Sequence, residues 1–169
     1  MDSYHIKGPW RGTLSIIARP RGGDWLEDDL RNWADQGGNA IVSLLEQSEQ
    51  EDLGLEHEQD FAEKTGVRFL SLPIPDRDVP VSRTATLKVL SKIENLLGSG
   101  AHIGIHCRQG IGRSGLIAAA LLIMAGSNAT EALASIRKAR GVEVPETDQQ
   151  RAWISKFEQE VGASLSRTR

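Results

Sequence analysis

Cys107 and Arg113 stand with five residues between them in the segment Ile103-Gly-Ile-His-Cys-Arg-Gln-Gly-Ile-Gly-Arg-Ser-Gly115. The residues before Cys107 read as a strand and those after Arg113 as a helix, so the loop between them turns onto a helix N-terminus. Gly110 and Gly112 lie inside the turn, and residues without a Cβ let successive backbone N–H groups point at one centre. The helix start adds unpaired N–H donors and the positive end of its dipole. Such a nest takes an anion with several oxygens. Phosphate fits it, as do sulfate and vanadate, and Arg113 offers two of those oxygens a planar fork that lysine cannot. The same donors favour the thiolate of Cys107, the nucleophilic form of sulfur. Arg108, Gln109, Gly110, Ile111, Gly112 and Arg113 are therefore predicted to hold the anion, with Cys107 aimed at its phosphorus. A buried structural cysteine beside a glycine-rich turn is the other reading of this spacing.

Attack on a phosphate monoester expels an oxygen that leaves poorly unless it is protonated, so a carboxylic acid should stand nearby. The stretch Pro73-Ile-Pro-Asp-Arg-Asp-Val-Pro80 ends a strand and offers Asp76 and Asp78 in a proline-stiffened turn. Either can serve as the acid, and both can instead bond backbone N–H groups in a purely structural turn.

Positioning these groups is the task of alternating elements. Apolar, β-branched runs at 13–18, 40–45, 67–74 and 101–106 read as strands. Helices are predicted from Asp24, capped with Glu27 and ending at Gly37, and over 56–66, 82–98 and 113–125. Another opens on the capping pair Asn128 and Glu131 and ends at Gly141, and a last one carries the stripe Trp153, Ile154, Phe157 and Val161. Trp25 and Leu87 are expected on buried faces. The helix after the loop is apolar on nearly every side and should be the most buried. Strand followed by helix, repeated, implies an α/β fold: one domain over 1–161 with a mainly parallel central sheet flanked by helices, then a frayed tail over 162–169.

Composition narrows the classes. At 169 residues and a formal net charge of −3, the chain has the size of one domain and lacks the basic excess of a nonspecific nucleic-acid binder. No apolar run approaches the ~20 residues of a membrane span, and the N-terminus lacks the layout of a secretory signal, so a cytoplasmic protein is expected. One cysteine and four scattered histidines give neither an internal disulfide nor metal-ligand spacing, so no metal or cofactor is expected.

His106-Cys107, five residues, then Arg113-Ser114 resembles the signature of the protein tyrosine and dual-specificity phosphatase superfamily. The helix Gly-Leu-Ile-Ala-Ala-Ala-Leu-Leu after the loop and Pro73-Ile74-Pro75-Asp76 before it are similar to the cyclin-dependent-kinase-associated phosphatase group. The likeness spans roughly residues 10 to 160. It implies the cysteine-phosphatase fold and hydrolysis of phosphotyrosine, and of phosphoserine or phosphothreonine, through a phosphocysteine. It also implies Asp76 as the general acid, Ser114 as the hydroxyl that stabilises the departing thiolate, and His106 as the residue that orients Cys107. Glu146-Thr147-Asp148-Gln149-Gln150 resembles the glutamine loop that positions the hydrolytic water. That likeness points to Gln150, but Glu146 stands where the family has its first glutamine, so which residue holds the water stays open.

The resemblance implies a phosphorylated protein or peptide as partner, and Ile111 in place of a second basic loop residue argues against lipid head groups. A phosphate-binding pseudophosphatase and a phosphatase of non-protein esters are the alternatives. A rhodanese-like sulfurtransferase fits poorly, since its loop is shorter. Elsewhere the bland readings are preferred: the acidic stretch 46–60 as a solvated face, Arg19 and Arg21 as surface residues, the cations of 137–140 as complements to a helix dipole, and the tryptophans as core.

Overall fold

The computed structural model describes residues 1–167. Five strands form one sheet in the order β1 (Ser3–Ile6), β2 (Thr13–Ile17), β5 (His102–His106), β3 (Ala40–Ser43), β4 (Arg68–Ser71). The last four are parallel, and β1 pairs antiparallel with β2 at one edge. Parallel strands covered on both sides are apolar throughout, and every residue of β3 is buried.

Helices α1 (Leu26–Asp35) and α3 (Glu58–Lys64) cover one face, where Ile17, Leu30, Trp33, Ile41 and Ala62 cluster. The other face carries α4 (Arg83–Gly98), α5 (Gly112–Met124), α6 (Ala129–Arg140) and α7 (Asp148–Arg167). Residues Gly112 to Ile123 of α5 are all buried, which makes it the central helix its sequence predicts. Each large aliphatic side chain buried there contributes about 1.5–3 kcal/mol. Gly104 in β5 is set by packing: a Cβ there would lie 2.6 Å from Ile17 Cδ1 and 3.0 Å from Trp33 Cζ2. The four parallel strands end on one side, so the segments that follow them converge there, as open α/β sheets require of a binding site.

Several expectations need correction. The first helix is not capped by Asp24 and Glu27. The chain enters α1 through a 3₁₀ turn, Gly23–Trp25, because Gly23 sits at φ 61° and ties its N–H to Gly54 O at 2.9 Å. Trp25 is 56% exposed beneath the Arg21 guanidinium, not core, and Leu87 lies on the outer face of α4. An extra helix, α2 (Gln47–Leu53), occupies the acidic stretch, and β1 is a strand the periodicity does not reveal. The backbone stays helical past Gly162 to Arg167, where a frayed tail is predicted. One glycine costs an established helix only about 1 kcal/mol, and Ala163 resumes good helix formers. Residues 168–169 of that tail lie outside the described residues.

Candidate active site

Cys107 follows the last residue of β5, and Arg113 is the second residue of α5. The loop between them folds back so that the Gly110 N–H donates to Cys107 Sγ at 3.2 Å. Gly110 adopts φ +66°, a conformation that glycine reaches without Cβ strain. Gly112 is needed for space: a Cβ there would lie 2.7 Å from Glu146 Oε2 and about as near the Gln150 amide.

The guanidinium of Arg113 is 2% exposed and nearly saturated. Its Nη1 donates to Glu49 Oε2 at 2.6 Å and to Ile74 O at 2.9 Å. Its Nη2 donates to Glu49 Oε1 and to Asp76 Oδ1, both at 2.9 Å. Glu49 Oε2 also accepts from the Glu46 N–H at 3.1 Å, so one buried carboxylate caps α2 and grips the arginine. Burial pushes the Glu49 carboxyl up, but the hydrogen bonds from Arg113 and Glu46 outweigh it and hold the group below the usual glutamate range. Burial likewise opposes the charge on Arg113, while Glu49, Cys107 and Asp76 together raise its affinity for its proton above the ordinary value.

The two candidate acids diverge. Asp76 reaches Arg113 with its side chain 53% exposed. Asp78 Oδ1 accepts from the Val79 N–H at 2.7 Å and from Gln149 Nε2 at 2.8 Å, which are turn-making bonds. Arg77 between them takes a left-handed φ of 61°, uncommon without glycine. Asp76 and Arg77 line a cleft of ≈ 90 Å³ with Cys107, Arg108, Gln109, Gly112, Arg113 and Glu146. A larger cleft of ≈ 210 Å³, between Pro80, Arg83 and Phe157, is lined by no cysteine, so volume alone does not locate the chemistry. Among the described residues no three of His, Cys, Asp and Glu come together as a metal site.

A family model described as polymorphic toxin system, DSP-PTPase phosphatase, matches residues 17–127, the span from the end of β2 through α5. The chain belongs to this DSP-PTPase phosphatase family. Cyclin-dependent kinase inhibitor 3 of Sus scrofa is 31% identical over 96 residues, which are 56% of this chain and 45% of that protein. The chain thus spans about half the length of the curated relative it matches. The crystal structure of Tk-PTP in the active form is 31% identical with a TM-score of 0.74, covering 93% of this chain and 96% of that one. Kinase associated phosphatase with its catalytic-site cysteine replaced by serine has a TM-score of 0.88 at 20% identity, over 96% of this chain and 97% of that one, a likeness of fold.

The remaining predicted residues fall around the loop. His106, fully buried, bonds Glu58 Oε1 through Nε2 at 2.7 Å. Ser114 Oγ is buried with no hydrogen-bond partner among the described residues. Gln150 is buried rather than solvent-facing. Its Oε1 accepts from the Glu146 and Thr147 N–H groups, and its Nε2 donates to Asp78 O at 3.0 Å. That amide joins the start of α7 to the acid turn, while Glu146 is the residue of this segment that lines the cleft.

The structure adds Glu49 and Glu58, which sequence reasoning left in a solvated acidic face. Both are buried, so that reading is wrong for them. The available signal was Glu46 three residues before Glu49, a capping spacing that marks a helix start. Arg140, read as a mere complement to a helix dipole, donates its Nε–H to Gly110 O at 2.8 Å.

Proposed function

We propose that the protein hydrolyses phosphate monoesters on proteins, phosphotyrosine first and phosphoserine or phosphothreonine as well, through a phosphocysteine. The observation that carries this is the convergence of Cys107 Sγ, the Arg113 guanidinium and the Asp76 carboxyl on one small cleft. The substrate phosphate sits on the loop N–H groups. The Cys107 thiolate attacks phosphorus, an S–P bond forms as the P–O bond to the leaving group breaks, and Asp76 gives that oxygen its proton. Water then attacks the phosphocysteine, Asp76 takes its proton, and phosphate departs from the restored thiolate. Ser114 Oγ, with no other partner among the described residues, suits stabilising the departing sulfur, and Glu58 fixes the ring of His106 behind the nucleophile. Glu146 lines the cleft, whereas Gln150 spends its amide oxygen and one amide N–H on neighbouring backbone, which makes Glu146 the better candidate to hold the hydrolytic water.

A protein substrate suits the low basic charge around the cleft. Arg108, the basic residue within the loop, already lies 3.7 Å from Glu49 Oε1, which leaves less charge for a polyanionic head group. No helix among the described residues is long and apolar enough to cross a membrane, and a lone free cysteine suits a reducing compartment, so we place the protein in the cytoplasm.

Cys107→Ser tests the covalent route. Turnover of p-nitrophenyl phosphate and of a phosphotyrosine peptide should vanish while vanadate binding persists, because the cradle and Arg113 remain. Steady-state turnover by that variant would disprove the phosphocysteine. A panel of phosphotyrosine, phosphoserine and phosphothreonine peptides against a phosphoinositide would settle the class, with preference for the lipid counting against a protein substrate.

A further inference from the structure

Gly110 is committed at both ends. Its N–H donates to Cys107 Sγ at 3.2 Å, and its carbonyl accepts from Arg140 Nε at 2.8 Å. Arg140 is the last residue of α6, 30 positions along the chain, and its guanidinium carbon lies 3.9 Å from the ring centroid of Tyr4 on β1. Neither Arg140 nor Tyr4 lines the cleft, so this contact reaches the loop from behind.

The consequence follows from peptide geometry. The Gly110–Ile111 peptide is trans, so its C=O and N–H point in opposite directions. With the carbonyl turned outward to Arg140, the Ile111 N–H is turned to the inner side of the loop. No hydrogen bond among the described residues uses that N–H. A half-turn of the peptide would exchange the two, aiming a carbonyl oxygen at the anion instead of a donor. Glycine at positive φ is the residue type for which such a rotation meets least resistance. A carbonyl in the cradle would oppose phosphate as directly as the N–H assists it.

We infer that Arg140, braced by the Tyr4 ring, is a positioning residue that locks the Gly110–Ile111 peptide with its N–H toward the bound phosphate. The edge strand β1 is thereby coupled to the catalytic loop. The guanidinium suits the task because its planar face stacks on the aromatic ring while its Nε–H, in that plane, reaches the carbonyl. This rests on the phosphate-loop reading above.

The test uses the full chain with Arg140→Ala, Arg140→Lys and Tyr4→Ala. Vanadate inhibition and kcat/KM for p-nitrophenyl phosphate are read beside the amide shift of Ile111 on adding inorganic phosphate. Losing a charged hydrogen bond of this kind should weaken vanadate inhibition and lower kcat/KM about 10- to 100-fold in Arg140→Ala. The Ile111 amide should respond to phosphate in the wild type and lose that response in the variant. Arg140→Lys should recover part of both, and Tyr4→Ala should move both in the same direction by less. Wild-type vanadate inhibition in Arg140→Ala would overturn the inference while leaving the phosphatase intact. A lowered Tm with an unaltered Ile111 response would make Arg140 a simple tether and overturn it too. A wild type that neither turns over nor binds vanadate would instead sink the phosphatase reading beneath it.

Discussion

Replacing Glu49 by glutamine should damage both stability and catalysis, although no part of Glu49 lines the cleft. Glu49 receives one N–H from each terminal nitrogen of Arg113, and both side chains are almost fully buried. Breaking a buried pair from one side costs about 3–5 kcal/mol, because the other charge is left in a poor environment. The low end applies here: glutamine keeps one acceptor oxygen, and Asp76 and Ile74 O stay on the guanidinium. At roughly 2–4 °C per kcal/mol for a domain of this size, about 3 kcal/mol becomes a Tm lower by ~6–12 °C. The glutamine N–H₂ would face an arginine N–H, donor against donor, so Arg113 should tilt and kcat/KM fall by ~10- to 100-fold. Calorimetry and p-nitrophenyl phosphate kinetics below the variant's Tm would measure both. The pH dependence carries the sign. Because Glu49 titrates below the usual glutamate range when folded, its contribution is complete above that range and is lost as pH falls through the folded value. The Tm gap between the two proteins should therefore be full at pH 7 and start to narrow only once pH falls below the ordinary glutamate value of about 4.3. A gap under 2 °C at pH 7 with unchanged kcat/KM would refute the claim that Glu49 holds the arginine.

Two other perturbations discriminate among the remaining residues. Asp76→Asn should lower kcat by about 10²- to 10⁴-fold, less for substrates with an acidic leaving group, whereas Asp78→Asn should do much less, since an amide oxygen there can still accept from the Val79 N–H and Gln149 Nε2. The reverse order in steady-state kinetics would reassign the acid. Hydrogen peroxide should oxidise Cys107 to a sulfenic acid, seen as one added oxygen by intact mass, with activity returning on thiol treatment at low dose. With one cysteine in the chain, an intramolecular disulfide has no partner, so excess peroxide should carry the sulfur on to irreversible sulfinic acid. Cys107 is only 3% exposed and is reached through the cleft it lines, so an enzyme unmodified and active after that treatment would contradict a peroxide-accessible thiolate there.

The parts of the site that were legible are those whose partners are near in sequence. Cys107, the glycines and Arg113 lie in one short segment between a strand and a helix, and periodicity alone places that junction. The capping pair Asn128 and Glu131 and the stop at Gly141 were legible for the same reason, and α6 begins and ends where they predict. Glu49 and Glu58 were not, because a buried carboxylate in an acidic run looks like a solvated one until its partner is known. Arg113 is 64 residues from Glu49, and His106 is 48 from Glu58. Strand β1 escaped notice because four residues, Ser3–Ile6, with one buried side chain carry too little alternation to outweigh the Gly and Pro that follow. Arg140 was misread because a cation at a helix C-terminus needs no ligand to be favourable, so its bond to Gly110 left no trace in the local pattern.

The two carboxylates on Arg113 differ in how they can behave when phosphate arrives. Of its five N–H groups, Nη1 uses both of its own on Glu49 and Ile74 O, with Leu44 O a longer third acceptor at 3.5 Å, and Nη2 uses both on Glu49 and Asp76. Among the described residues only Nε–H has no acceptor, so a phosphate fork through Nε and Nη2 needs one carboxylate to withdraw from Nη2. Glu49 is held by a second bond from the Glu46 N–H and is walled in, whereas Asp76 is half exposed on a turn with no second partner for its carboxylate among the described residues. Asp76 is therefore the group that yields. An incoming dianion would displace the weaker-held carboxylate and leave the anchored one in place. In the mechanism proposed here, that exchange frees the Asp76 carboxylate to take a proton from solvent and stand as the acid beside the leaving-group oxygen once the phosphate is seated, while Glu49 keeps the arginine aimed. One buried and one exposed acid on a single guanidinium can thus divide the work of orientation from the work of proton transfer.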